Sequence, residues 1–136
     1  MGTLFAVSLS LCVAFLPPDP EQLSGPYVTV ESKGTVNAAE TLEYDVGDLL
    51  RAKTTVGAYN MHPTKTYTIV VESFFYNQNG EMESKTSSFT VAPYQMVVHT
   101  HSHSVTASDS SFHVATCEAK IDNQSVGTDT ITFTRK

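Results

Sequence analysis

TYTIVVESFFYNQNGEMESKTSSFTV, residues 66–91, is the stretch whose reading decides the fold. Residues 66–76 hold the chain's richest run of Val, Ile, Thr, Tyr and Phe, types that suit a pleated, half-buried surface. Both faces of the run are low in polarity, which marks a central strand. Asn77, Gln78, Asn79 and Gly80 follow, and Asn-Gly accepts the positive φ of a tight turn. Residues 82–91 therefore return antiparallel to 66–76. Phe74 and Phe75 are adjacent on a strand and face opposite ways, so one enters the core and the other needs a cover.

Working outward, the same alternation recurs between turn residues. Residues 27–31 read as a short strand ended by Lys33 and Gly34. Leu42, Tyr44 and Val46 alternate with polar residues until Gly47 and Asp48 impose a bulge or bend, and 49–59 resumes. His62, Pro63 and Thr64 form a loop, Pro93 breaks the chain, and 94–106 is a long strand. Residues 112–121 and 127–134 make a last hairpin around Asp122 to Val126. Seven or eight antiparallel strands at this spacing, with no helical period, predict an all-β sandwich. On strand count, residues 27–136 resemble the immunoglobulin-like and fibronectin-like families. They depart from the antibody pattern in having no Trp, a single Cys, and Ala115 where a corner Tyr stands two residues before Cys117.

Composition sets the outer bounds. A chain of 136 residues supports one sizeable core, and 40% hydrophobic with 16% charged residues excludes charge-driven disorder. Eight scattered cations against fourteen acids, a net charge of −6, give no footprint for a phosphate backbone, so nucleic acid is not an expected partner. The apolar run from Leu4 stops at Pro17, short of the roughly 20 residues that cross a bilayer, and no transmembrane anchor is expected.

That run divides the chain into an apolar segment (1–16), a Pro-rich linker (17–26) and a sandwich domain (27–136). Phe5, Val7, Leu9, Leu11, Val13 and Phe15 alternate with Ala6, Ser8, Ser10, Cys12 and Ala14, so an extended segment has one bulky and one small face. Two readings follow. As a secretion signal it is cut near Ala14, although only Met1, Gly2 and Thr3 precede it and the basic leader is missing. As a retained strand it lays its bulky face into a neighbouring subunit by donor-strand addition, giving a homo-oligomer. A retained Cys12 also makes a bridge to Cys117 conceivable; without it Cys117 is a lone thiol.

His99, His101 and His103 share one face of the 94–106 strand, and His-x-His spacing suits zinc or copper. Alternate residues lie about 6.5–7 Å apart, however, so closing on one ion needs help from His113, His62 or a second copy. The alternative is a polar surface. Asn123, Gln124 and Ser125 form a glycosylation sequon in the final turn. No Gly-x-Ser-x-Gly elbow or phosphate-cradling loop is present, so no enzymatic activity is expected. Asp45 and Asp48 near Glu43 have the ligand type for calcium but not EF-hand spacing, and read as a solvated strand end. The sequence thus points to a secreted, extracellular structural or adhesive subunit that assembles through its N-terminal strand, with a protein or carbohydrate surface as ligand. A His-rich metal-binding sandwich and a recognition module with a cleaved signal are the alternatives.

Overall fold

In a computed structural model that describes residues 25–136, the alternation is realised as eight strands with no helix among the described residues. They are β1 (Tyr27–Val36), β2 (Glu43–Tyr44), β3 (Leu49–Tyr59), β4 (Tyr67–Asn77), β5 (Gly80–Val91), β6 (Met96–Thr106), β7 (Phe112–Ile121) and β8 (Gln124–Arg135). A three-stranded sheet of order β1-β3-β6 faces a five-stranded sheet of order β2-β8-β7-β4-β5. The architecture is the expected immunoglobulin-like sandwich. The apolar segment 5–15, Cys12 and the linker up to residue 24 lie outside the described residues.

The β4–β5 hairpin forms as read, with β4 flanked by β5 and β7. Its turn places positive φ on Gly80 alone, and Asn77 Oδ1 accepts the Asn79 N–H at 2.8 Å. Phe75 is fully buried and Phe74 lies on the outer face. The last hairpin is tighter than expected, because Asp122 and Asn123 both adopt left-handed φ (51° and 65°) and β8 begins at Gln124.

Three expectations need correction. β1 does not end at Gly34 but pairs with β3 through Val36. A side chain at Gly34 would meet Leu42, Phe133 and Ile131 at 2.7–2.9 Å, so glycine here permits close approach of the two sheets. Gly127 does the same on the facing strand, against Val30 at 2.9 Å. The long strand starts at Met96, since Tyr94 has a left-handed φ of 59° in the preceding turn. Finally, the sandwich is not wholly antiparallel: β2 is two residues long and pairs parallel to β8.

The core is divided at its waist. One apolar cluster gathers Tyr44, Leu50, Phe75 and Phe133, and the other Val56, Ile69, Val71 and Val91. Between them runs a polar belt. Ser32 Oγ bonds Thr54 Oγ1 at 2.7 Å, and Ser32 N–H donates to Asp129 Oδ2 of the facing sheet at 2.6 Å. Ser73 sits at the same level on β4, where strand alternation buries it whatever its polarity. Buried hydroxyls need partners, and β6 supplies them.

Candidate functional site

The three histidines share one face, as the alternation requires, but that face is the interior. Thr100, Ser102 and Ser104 point out, while His101 and His103 are buried and His99 is half-buried. This corrects the polar-surface alternative. The physical reason lies on the opposite sheet, whose core-facing positions offer Ser73, Ser87 and Glu83. Ser87 Oγ lies 2.7 Å from His99 Nε2 and 2.5 Å from His101 Nε2. Ser73 Oγ lies 2.9 Å from His101 Nδ1 and 2.7 Å from His103 Nε2. His103 Nδ1 closes the row on Glu83 Oε1 at 2.5 Å.

Donor and acceptor roles then follow from one end. A Glu83 carboxylate only accepts, so in the neutral ring His103 donates from Nδ1–H, and its Nε2 accepts a hydrogen bond from the Ser73 hydroxyl. Ser73 in turn accepts from His101 Nδ1–H, Ser87 donates to His101 Nε2, and His99 Nε2–H donates to Ser87. Six side chains form one directional hydrogen-bonded row across the seam between the sheets. Burial holds His101 below the ordinary imidazole value, with the His99, His103 and Lys85 charges acting the same way.

For zinc or copper the row has the ligand types but not the convergence. Both ring nitrogens of His101 and His103, and Nε2 of His99, are engaged by hydroxyls or by Glu83. Among the described residues no three His, Cys, Asp or Glu side chains gather where they hold a metal. His62 and His113 do not join the row. His62 Nδ1 accepts the N–H groups of Thr64 and Lys65 in its loop. His113 is buried against Tyr44 at a centroid distance of 4.8 Å, its Nε2 accepts from Ser108 N–H at 3.2 Å, and burial lowers its pKa.

The remaining candidates are dispersed. Cys117 is buried in the core, where desolvation pushes its thiol up to about 11, so thiolate chemistry is suppressed. Asp48 is spent on its own loop, accepting from Asp45 N–H and Asn37 Nδ2. Asn123 is exposed in the β7–β8 turn.

Pairing register assembles a surface that the linear sequence scatters. On the outer face of the three-stranded sheet, Tyr27, Tyr59 and Met96 form one cross-strand row and Thr29, Gly57 and Val98 the next. Tyr27, Met96 and Val98 are 64%, 70% and 64% exposed, and Tyr59 37%. About 20 Å along the same face, at roughly 3.3 Å per residue, Lys33 stands opposite Lys53, with Arg51 one row further. A cleft of about 680 Å³ opens there. The edges of this sheet are guarded. Asp129 occupies the Ser32 N–H on β1, and Lys85 Nζ donates to Ser102 O on β6. Charged side chains on an edge discourage strand addition, and among the described residues positions 96–100 of β6 have no such guard.

No family model matches the chain, and no curated protein matches it. Solved structures do. The CARDB domain of a Pyrococcus furiosus protein, in complex with di-metal ions, is similar at 16% identity and a TM-score of 0.52, over 89% of this chain and 99% of that one. Bacteroides uniformis beta-glucuronidase 2 is similar at 6% identity and a TM-score of 0.55, over 79% of this chain and 14% of the enzyme. A glycosyl hydrolase family 2 member from Bacteroides cellulosilyticus gives 13%, 0.52, 77% and 15%. The chain spans only 12–17% of the first glycoside hydrolases it matches. At such identities the likeness shows the fold alone.

Proposed function

We propose that the protein is a non-enzymatic, extracellular β-sandwich module that works by assembly, the apolar strand of residues 5–15 of one copy covering the apolar end of another copy's three-stranded sheet. The observation that carries this reading is the exposed row of Tyr27, Tyr59, Met96 and Val98. Four large apolar groups in two adjacent rows on water are costly unless covered. The chain enters β1 at this same end, and the apolar alternation of residues 5–15 precedes Gly25 in sequence, so every copy carries a segment with a bulky face complementary to such a row. Addition along residues 96–100 of β6 aligns the bulky side of the strand with Met96 and Val98. The six bulky groups bring roughly 10 kcal/mol of burial as an upper bound, against ordering of the strand at ~1–2 kcal/mol per residue. Backbone pairing is therefore part of the interaction, not an accessory.

The test compares the full chain with a Met96→Lys/Val98→Lys variant and a Leu9→Asp/Leu11→Asp variant by light scattering. Oligomers in wild type that collapse to monomers in both variants support the reading. A wild-type monomer that retains residues 5–15 overturns it, as does an oligomer indifferent to both variants. A mature chain beginning near residue 15 leaves the recognition-module reading in its place.

A further inference from the structure

The opposite end of the same face carries a group of cations with no ion pair among the described residues. Of the eight Lys and Arg residues, five are engaged. Lys120 pairs with Glu72 and Glu118, Arg135 with Asp109 and Lys136 with Asp45. Lys65 stands over the Tyr67 ring and Lys85 donates to Ser102 O. The other three are Lys33, Arg51 and Lys53, and none has an ion pair among the described residues. All three lie together.

Their arrangement is unfavourable by itself. Lys33 and Lys53 are direct cross-strand partners, and like charges directly opposite on a sheet destabilise it. Arg51 is two residues from Lys53 on the same side of β3, paired with Ser104. Acids are plentiful in a chain of net charge −6, and four stand around the cleft: Glu31 is one row away, Glu40 is on its wall, Asp129 is on the Ser32 N–H and Glu83 is on His103, yet none of them pairs with these three cations. The hydroxyls of Thr35, Ser102 and Ser104 line the cleft with them. Local conflict without a compensating contact is the mark of a site built for a ligand and not for the fold.

We propose that Lys33, Arg51 and Lys53 form a binding site for a sulfate or phosphate group, with Arg51 supplying a two-pronged contact and the two lysines the charge. The neighbouring hydroxyls complete the oxygen shell. A bound anion offsets the repulsion between Lys33 and Lys53. This site is about 20 Å from the assembly row and independent of it.

The experiment measures melting temperature and binding at low ionic strength for wild type, Lys33→Thr/Lys53→Thr, and the distant control Lys136→Ser. The probes are sodium sulfate, sodium phosphate, dextran sulfate and neutral dextran. Without anion, the double variant is expected to melt no lower than wild type, because a like-charge pair is removed and Thr suits a strand. That outcome also shows that the variant folds. With anion, wild type and the Lys136 control are expected to gain several degrees beyond the double variant, whose Kd weakens by about tenfold or more. A gain with the inorganic salts as well as dextran sulfate identifies a small-anion site, and a gain with dextran sulfate alone identifies ester groups on a polymer. The proposal is overturned by equal gains in all three proteins, by an equal gain with neutral dextran, or by no gain with any probe.

Discussion

Ser73 occupies a core-facing position of β4 between Val71 and Phe75, and its hydroxyl is shared by His101 and His103. Ser73→Ala orphans two buried ring nitrogens, and an unsatisfied buried polar group costs about 1–3 kcal/mol. A fall in stability of about 2 kcal/mol or more in urea melts is the expected result, and an unchanged midpoint would show that the row is not connected as described. Protonation acts on the same residues. Burial favours neutral His101 and His113 in the folded chain, so the unfolded chain binds more protons once the pH drops below about 6.5. Stability held at neutral pH is therefore lost on acidification from about 6.5 downward. Urea midpoints at pH 7.5 and pH 5 measure it: a lower value at pH 5 is expected, and equal values would remove the buried histidines from the stability balance. Face-sharing of His99, His101 and His103 was legible from period two alone. Which face it was depended on Ser73, Ser87 and Glu83, 12 to 30 residues away on other strands. No local pattern carries that information.

At the scale of elements, strands with clear alternation were legible almost to their ends, and those shaped by contacts with the other sheet were not. Gly34 reads as a breaker in sequence, whereas in the sandwich its missing side chain lets β1 close on β8. Gly34→Val is expected to destabilise by about 1–3 kcal/mol through overpacking, read as a lower melting temperature. A variant as stable as wild type would show that Leu42 and Ile131 yield without cost. β2, at two residues, is too short to hold a pattern, and its parallel partner lies some ninety residues on. Edge protection was equally invisible, because Asp129 and Lys85 guard strands other than their own. Lys85→Thr uncovers Ser102 O on β6 and is expected to raise the associated fraction in size-exclusion runs at equal stability. An unchanged profile would mean that this edge is protected otherwise.

At the scale of the whole molecule, two layers of unequal width leave the outer face of the smaller sheet as the distinctive surface. Its ends differ in kind, aromatic and apolar at Tyr27, Tyr59 and Met96, cationic at Lys33, Arg51 and Lys53. The residues of each end come from three strands, so neither could be seen before register was known, although the apolar alternation of residues 5–15 already called for a partner surface. The proposed assembly would join these observations into one function. Native mass spectrometry of the protein recovered from a secreting host reads both parts at once, subunit number and subunit mass. The expected result is an oligomer in which every subunit retains residues 5–15. A monomer, or subunits whose mass begins near residue 15, would contradict it.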